Sequence, residues 1–418
     1  MCVCFLQEEC FQFQPEVNIG TLGHVDNGKS TIVQALTGVW TARHSEELRR
    51  GITIRIGYAD ATFYECPSCE PPSNFSTSKT CPNCGSPAKL LRSVSFVDSP
   101  GHHSLMVTML SGAAIMDGAL FVLSANVKAP QAQDREHMVA AQMIGLRNLI
   151  IVQNKIDVVD RARALENYGE VKDFIKETSA SDAPIIPVSA QHKLNIDALI
   201  AAIQERIPTP VRDEVVNPRM SILRSFDVNK PGTEVEELVG GVVGGSVVQG
   251  VFKKGDEIEI RPGIKSDSSN KATYQPLIAN VKALQAGGGD VKQAAPGGLV
   301  AVGTDLDPSV TKSDGLVGNV VGRAGTLPPT LEKVSLDVDL FEKAVGTELL
   351  VSVQKIKMNE PLVLNAGTAV TSGTVSSVRE NIADVVLRKP ISADPGSKVA
   401  LSRRIGESWR LIGFGTIR

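Results

Sequence analysis

The sequence predicts an α/β domain followed by two antiparallel β-barrels, and three observations support this fold class. Up to about residue 207, short apolar runs alternate with stretches of helical periodicity, which is typical of a mainly parallel sheet with helices on both faces. After residue 207 the helical periodicity disappears, and short strand-like runs follow one another with Gly, Pro and Asp between them. Only 4% of the 418 residues are aromatic while 37 are glycines, a composition that suits small, strongly turned strands.

The predicted domain boundaries follow from these changes of pattern. The α/β domain is expected over residues 15–207, from the strand-like "VNIGTLG" to the helical "NIDALIAAIQERI". The first barrel is expected over residues 208–326, beginning with the proline-containing linker "PTPVRDEVVNP". A second break, "GTLPPTLEKV", places the other barrel at 327–418. Three domains agree with the ~100 to 200 residues that one domain usually contains.

Charge and hydropathy limit the classes of function. The formal net charge is −3, so a nucleic acid would have to bind a local basic patch rather than an overall positive field. The N-terminal "MCVCFLQEEC" carries two glutamates where a signal peptide needs an apolar run, and no stretch reaches the ~18 uninterrupted apolar residues of a membrane span. We therefore expect a soluble, cytoplasmic protein with no membrane contact.

A glycine-rich loop stands between the first predicted strand and the first predicted helix. Its sequence "GHVDNGKS" fits the pattern G-x-x-x-x-G-K-[ST]. In such loops backbone N–H groups point at phosphate oxygens, the lysine supplies positive charge, and the last hydroxyl can ligate Mg²⁺. The alternative is that the glycines only make a strand-to-helix turn. The residues predicted to hold the phosphates are Asp26, Asn27, Gly28, Lys29, Ser30 and Thr31.

Four more residues are predicted to act around the terminal phosphate. In "VSFVDSPG" the predicted strand ends with Asp98, whose carboxylate can hold Mg²⁺. Gly101 follows three residues later, and its N–H can reach the γ-phosphate. Thr53 lies in "EELRRGITIRIGYAD" and is the candidate switch residue, since its hydroxyl can also reach the metal. The predicted magnesium site is therefore Ser30, Thr53 and Asp98. His102 directly follows Gly101 and is the candidate catalytic residue, placed to orient the attacking water; a structural hydrogen bond is its alternative role.

The sequence "NKID" predicts the choice of base. Asp157 can accept from both N1–H and the C2 amine of guanine, whereas adenine has an acceptor at N1 and no amine at C2. Asn154 can bond the N7/O6 edge and the stem of Lys155 can lie on the purine face. At the end of the next strand, "VSAQ" adds Ser189, Ala190 and Gln191 to the predicted base pocket. The expected nucleotide is GTP, or GDP after hydrolysis, so we call the α/β domain the G domain.

Four of the seven cysteines form a metal-ligand pattern. Cys66 and Cys69 make one C-x₂-C pair, and Cys81 and Cys84 make a second pair eleven residues later. Two such pairs can place four thiolates tetrahedrally around a structural Zn²⁺, in a knuckle at about residues 64–88. The alternatives are four reduced buried thiols or a knuckle that has lost its metal.

Together these motifs resemble the gamma subunit of archaeal and eukaryotic translation initiation factor 2. The resemblance extends from about Pro15 to Arg418, and it is carried by "NIGTLGHVDNGKST", "RRGITIRIGYADA", "CPNCGSPA", "FVDSPGH", "MLSGAAIMDGALFVLSAN", "PQAQDREH", "QNKIDVVD" and "VSAQHKLNIDALI". The stretch "CPNCGSPA" is more similar to the archaeal version. The chain departs from the family at Asn27, where His is usual, at Ser99, and at His103 and Ser104, which follow His102 where an acid is common.

The resemblance implies a GTPase that binds methionylated initiator tRNA and delivers it to the small ribosomal subunit. It also implies a heterotrimer with an alpha and a beta subunit, and slow intrinsic hydrolysis of GTP to GDP and phosphate. Tyr58 matches a position near the tRNA contacts of the family, although it could also simply pack on the sheet. In "RRIGESWR", Arg403, Arg404 and Arg410 could meet the tRNA backbone, or could belong to an ordinary strand face.

Two other functions stay open at this point. One is an elongation-type aminoacyl-tRNA carrier, similar to elongation factor Tu or to the selenocysteine-specific factor. The cysteine knuckle favours the initiation factor, because those relatives lack it. The other is a binding platform that holds GTP structurally without hydrolysing it, which the presence of His102 disfavours.

Overall fold

The computed structural model describes residues 14–41, 53, 56–102, 105–230, 232–266, 273–342, 352–406 and 408–418. They form two compact units: one contains residues 17–210 and 331–418, and the other contains residues 14–16 and 211–330. The cysteines at positions 2, 4 and 10, His103 and Ser104, and most of the predicted switch segment lie outside the described residues.

The G domain contains a seven-stranded sheet in the order β3-β2-β4-β1-β5-β6-β7. Its strands are β1 (Val17–Leu22), β2 (Gly57–Glu65), β3 (Phe75–Ser76), β4 (Lys89–Asp98), β5 (Gly118–Ser124), β6 (Leu149–Asn154) and β7 (Ile185–Pro187). The pairings from β4 through β7 are parallel, whereas β2 is antiparallel to both β3 and β4. Every residue of β1, β5 and β6 is buried, as expected for strands covered on both faces.

Five helices of the described residues connect these strands. They are α1 (Lys29–Thr37), α2 (Met106–Ala113), α3 (Ala132–Met143), α4 (Arg161–Ile175) and α5 (Ile196–Arg206). The apolar residues of α1 and α5 pack with those of β1, β4, β5 and β6 in one buried core. No helix in the described part of the chain is both long and apolar enough to cross a membrane.

The parallel pairing brings the predicted motifs to one edge of the sheet. The phosphate loop follows β1, Asp98 ends β4, and Asn154 ends β6. In an open α/β sheet, ligands bind outside the carboxyl ends of the strands. The fold therefore gathers these separate sequence motifs into a single candidate site.

The first barrel forms a compact unit of its own. Its strands are β8 (Arg219–Phe226), β9 (Val242–Gln249), β10 (Phe252–Lys253), β11 (Glu257–Ser266), β12 (Thr273–Ala286), β13 (Gly289–Asp290), β14 (Gln293–Ala294), β15 (Val300–Thr304) and β16 (Val320–Arg323), with a short helix α6 (Pro308–Thr311). Six of them follow the order β11-β16-β8-β9-β15-β12, and the antiparallel pairing of β11 with β12 closes the ring.

The second barrel is a closed ring of six strands in the order β17-β20-β19-β18-β21-β22. The strands are β17 (Thr330–Leu340), β18 (Pro361–Ala366), β19 (Ala369–Arg379), β20 (Ile382–Ser392), β21 (Lys398–Ile405) and β22 (Ser408–Ile417). This barrel contacts the G domain within the same unit, where the Asn365 side-chain amide donates to the carbonyl of Val107 at 2.9 Å. The predicted fold class is thus confirmed, whereas the boundaries at 207/208 and 326/327 stay predictions.

Candidate nucleotide site and cysteine cluster

The phosphate loop (residues 23–30) has a backbone that only certain residues can adopt. Gly28 has a φ of 91°, and a Cβ atom there would collide with the side-chain amide of Asn154. A glycine is therefore required by both the left-handed conformation and the close approach. Asp26 also has a positive φ, 65°, and is exposed, whereas the side chain of Asn27 is buried.

Lys29 holds the loop in its curved shape. Its Nζ donates to the carbonyl oxygens of Gly23 at 2.9 Å and of His24 at 2.8 Å. Burial lowers the pKa of the ammonium to about 8, while the charges of Asp98 and Asp134 act in the opposite direction. Because this pKa is still above 7, Lys29 is mainly protonated at neutral pH and can contact an anion at the mouth of the loop.

The carboxylate of Asp98 accepts hydrogen bonds from three hydroxyl groups. Its Oδ2 accepts from Ser30 at 2.6 Å and from Thr41 at 2.5 Å, and its Oδ1 accepts from Thr21 at 3.0 Å. The hydroxyl of Thr53 lies 3.0 Å from that of Ser30. The structure therefore brings together the three residues predicted to hold Mg²⁺. Carboxylate and hydroxyl oxygens suit this hard cation. Thr41 was not predicted, since no local motif marks it.

The segment after β4 closes against the phosphate loop. A Cβ atom on Gly101 would meet the ammonium of Lys29 and would lie 2.8 Å from the backbone nitrogen of Val25, so only a glycine allows this approach. His102 directly follows and is half-buried, and its backbone carbonyl accepts from Leu105 N at 2.8 Å. The predicted γ-phosphate residue, Gly101, thus packs against the predicted lysine, and the predicted water-orienting residue follows it in the chain.

Asn154 joins three parts of the site. Its Nδ2 donates to the carbonyl of Asn27 at 2.9 Å, and its Oδ1 accepts from the backbone N–H of Ala190 at 3.1 Å. The sequence predicts that this side chain bonds the base. In the structure it links the phosphate loop to the loop after β7. These two hydrogen bonds hold the loops together without a nucleotide.

Asp157 lies in a short 3₁₀ helix, Ile156–Val158, directly after the left-handed residue Lys155. A hydrogen bond from the Ser189 hydroxyl is the main factor that lowers its pKa, so the carboxylate is ionised at neutral pH. Its Oδ2 is also 3.6 Å from the Nε2 of His192. Ser189 is buried, whereas Gln191 is exposed. The arrangement gives the predicted base pocket an anionic acceptor.

The structure thus collects most of the predicted nucleotide residues at one edge of the sheet. They are Asp26, Asn27, Gly28, Lys29, Ser30, Thr31, Thr53, Asp98, Gly101, Asn154, Lys155, Asp157, Ser189 and Ala190. Two residues that the sequence analysis did not single out, Asp134 and His137 of α3, bond to the backbone of the phosphate loop. Their stretch "PQAQDREH" carried a family resemblance but no recognisable chemistry.

The four predicted cysteines form one cluster next to β3. Their sulfur atoms all lie within 4.8 Å of one another. The sulfurs of Cys66 and Cys84 are 3.4 Å apart, and those of Cys69 and Cys81 are 3.8 Å apart. Hydrogen bonding to Ser86 lowers the pKa of Cys84 to about 6, whereas the bond with Cys84 raises the pKa of Cys69 to about 12. Four converging sulfurs fit a tetrahedral zinc ion.

The predicted tRNA-contact residues have different environments. Tyr58 lies in β2 opposite Val97, and its hydroxyl is buried. Arg403 donates to the Glu360 carboxylate and to the Gln354 carbonyl, the latter at 2.7 Å. Arg404 is exposed. Arg410 donates to the Glu136 carboxylate at 2.8 Å. For Arg403 and Arg410 this intramolecular bonding favours a structural role, and contact with tRNA stays a prediction for all four residues.

Comparison with known proteins identifies the family to which the chain belongs. Family models match the chain over residues 14–209 (Elongation factor Tu GTP binding domain), 240–321 (Elongation factor Tu domain 2) and 332–417 (Initiation factor eIF2 gamma, C terminal). Translation initiation factor 2 subunit gamma of Archaeoglobus fulgidus is 58% identical over 404 residues, which cover 97% of this chain and 95% of that protein. The chain belongs to this gamma-subunit family. The protein of the same name from Methanocaldococcus jannaschii is 55% identical over 97% of this chain and 98% of its own length.

Solved structures of elongation factors share the fold. A bacterial selenocysteine-specific elongation factor EF-Sec has a TM-score of 0.72 at 22% identity, covering 96% of this chain and 58% of that one. Elongation factor SelB from Methanococcus maripaludis, solved with the GTP analogue GppNHp, has a TM-score of 0.69 at 20% identity, covering 98% and 80%. The much higher identity to gamma subunits favours initiation over the elongation-type alternative. As a member of the gamma family, the chain is a GTP-binding translational GTPase that acts in initiation.

We expect Asp157→Asn to change the base preference. Converting one acceptor into a donor should weaken GTP binding by about 2 kcal/mol, or roughly 30-fold, and should favour xanthosine triphosphate, whose C2 oxygen accepts a hydrogen bond. Titration of both nucleotides measures the change. Asp173→Asn, at an exposed position of α4, is the matched control. Equal GTP affinity of the two variants would remove Asp157 from the base pocket.

We expect the freshly purified, reduced protein to carry about one zinc ion per chain, measured by elemental analysis. The double variant Cys66→Ser with Cys81→Ser should lose the metal and keep GTP binding, because the cluster lies in an insertion between β2 and β4. Ser73→Ala, at an exposed position of the same insertion, should keep the metal. Zinc-free wild-type protein would contradict the assignment.

Proposed function

We propose that this chain uses GTP and Mg²⁺ at the phosphate loop to control its binding of methionylated initiator tRNA. The carried tRNA would be delivered to the small ribosomal subunit, with an alpha and a beta subunit completing a heterotrimer. The observation that supports this most directly is the convergence of Ser30, Thr53 and Asp98, since it joins the metal residues to the predicted switch segment. A segment tied to the metal in this way can respond to the terminal phosphate.

The proposed binding mode follows from the groups that surround the loop. Backbone N–H groups of residues 26–30 and the ammonium of Lys29 would contact the phosphates, while Asp157 accepts from the guanine base. Lys29 would then exchange its bonds to loop carbonyls for bonds to phosphate oxygens. A magnesium ion held by Ser30, Thr53 and Asp98 would neutralise charge that develops on the phosphates.

Hydrolysis requires positioning more than covalent chemistry from the protein. Water attacks the γ-phosphorus of GTP, the bond to the β-phosphate oxygen breaks, and GDP and inorganic phosphate leave. We assign His102 to orient this water, since it follows Gly101, which packs against Lys29. A slow intrinsic rate is expected, because a positioned water without an additional activating group supplies only part of the catalysis.

The switch would link the nucleotide to the tRNA surface. Gly57 pairs with Asp98, and Tyr58 pairs with Val97, so β2 begins directly beside the magnesium residues. Movement of the segment that contains Thr53 would therefore change the surface near Tyr58. Zinc at the cysteine cluster would stabilise the far end of the same β2–β4 hairpin, and it has no part in the chemistry.

We expect initiator-tRNA affinity to differ between the GTP and GDP states by about 1 to 3 kcal/mol, or roughly 5- to 150-fold. Thr53→Ala should bind GTP and lose most of this difference, because it removes the hydroxyl beside Ser30. His102→Ala should keep tRNA binding and lose hydrolysis. Filter binding in both nucleotides, with alpha and beta subunits present, measures the affinities, and single-turnover assays measure hydrolysis.

Thr374→Ala, on an exposed strand position of the second barrel, is the control and should behave as the unmutated chain. Equal tRNA affinities of the unmutated protein in GTP and GDP would refute the switch. Equal affinities for initiator and elongator tRNA would refute the initiation-specific carrier and favour an elongation-type carrier.

A further inference from the structure

Helix α3 lies against the phosphate loop and contacts it through a buried carboxylate. The Oδ1 atom of Asp134 accepts from the backbone N–H of His24 at 2.8 Å and from the side-chain amide of Asn27 at 3.2 Å. Its Oδ2 accepts from Gln131 N at 2.9 Å, which caps the start of the helix. Asp134 is only 1% exposed. The same side chain therefore fixes the first turn of α3 and two residues of the loop.

One turn further along α3, His137 holds the beginning of the loop. Its Nδ1 accepts from the backbone N–H of Gly23 at 3.0 Å, and the side chain is 1% exposed. Burial, together with the nearby charges of Lys29 and His24, lowers the pKa of His137 to about 3. The imidazole is therefore neutral, and because Nδ1 is an acceptor, its proton is on Nε2.

These bonds act on the same residues that hold Lys29. The N–H groups of Gly23 and His24 bond to α3, while their carbonyl oxygens accept from the Lys29 ammonium. Because a peptide unit is planar, fixing the N–H of His24 also fixes the carbonyl of Gly23. The position of α3 thus fixes the part of the loop backbone that Lys29 contacts before a nucleotide binds.

The second barrel contacts α3 at Glu136, which lies between Asp134 and His137 in the helix. Glu136 is 2% exposed, and its Oε1 accepts from Nη1 of Arg410 in β22 at 2.8 Å. Its Oε2 is buried without a hydrogen-bond partner in the described part of the chain. Burial raises the pKa of Glu136 to about 7, and the charge of Arg410 opposes this change. Separating the barrel from the helix would remove the cation that favours the ionised carboxylate, so Glu136 would have to take up a proton or stay charged and unpaired; the pair therefore favours contact between barrel and helix.

We propose that Asp134 and His137 are positioning residues for the phosphate loop. Through the pair of Arg410 with Glu136, the rate of nucleotide release then depends on the contact between the second barrel and α3. The inference rests on the nucleotide site proposed above. A partner that draws the second barrel away from α3 would then accelerate release without touching the nucleotide. The regulated step is the dissociation of GDP.

Chase experiments with a fluorescent GDP analogue on the full chain test the role of His137. His137→Leu removes the acceptor for the Gly23 N–H, so we expect dissociation to become about tenfold faster. His137→Asn keeps an acceptor close to the position of Nδ1 and should restore the rate to within about threefold of the unmutated protein. Equal rates for both variants would overturn the positioning role.

A double-mutant cycle tests the connection to the barrel. Arg410→Met should accelerate release, and it should add little in the His137→Leu background, because both changes act through α3. Arg388→Met, at an exposed position of the same barrel, is the control and should leave the rate unchanged. Multiplicative effects of the two changes would overturn the connection through α3.

Urea unfolding of each nucleotide-free variant separates positioning from a general loss of stability. Ile412→Val removes one methylene from the core of the second barrel and lowers stability without touching α3 contacts. If this variant releases GDP as fast as Arg410→Met at equal loss of stability, the proposal is wrong. Failure of the unmutated chain to bind the analogue would instead refute the nucleotide site itself.

Discussion

The parallel pairing of β1 with β4 and β5 is the constraint on which the whole nucleotide site depends. It places Thr21 directly opposite Asp98, and the Thr21 hydroxyl donates to that carboxylate. A shift of the pairing by one residue would turn Asp98 to the opposite face of the sheet. The hydroxyls of Ser30 and Thr41 would then lose their common acceptor, and the segment containing Gly101 would no longer reach Lys29.

The charges at this edge favour binding of a nucleotide together with a divalent cation over binding of a nucleotide alone. Lys29 is surrounded by the carboxylates of Asp26, Asp98 and Asp134, whose combined charge favours its protonated form. Additional negative charge from three phosphates would be repelled by the same carboxylates. A cation beside Asp98 reduces this repulsion, so metal and nucleotide are expected to bind cooperatively.

Features encoded by local patterns could be predicted from the sequence. The continuous apolar runs of β1, β5 and β6 indicated a covered parallel sheet, and the spacing of the four cysteines indicated their cluster. Other features depend on contacts between residues that are distant in sequence, and no motif marks these contacts. Thr41 meets Asp98, Asn154 meets Ala190, and Arg403 meets Glu360 only after folding. The order of strands within the barrels could not be predicted from the sequence either, because short alternating strands allow many pairings.

The antiparallel hairpin of β2 and β4 has a consequence for how the domain tolerates change. Its register runs from Gly57 opposite Asp98 at one end to Glu65 opposite Lys89 at the other, and the cysteine cluster follows beyond that end. The chain thus leaves the nucleotide edge, turns at the cluster and returns to Asp98. The pairing contains one register shift, between Phe63 and Tyr64, and from Gly57 to Phe63 it is regular, so this regular part separates the turn from Asp98. A change in chain length at the distal end of this hairpin is therefore expected to disturb the nucleotide edge little.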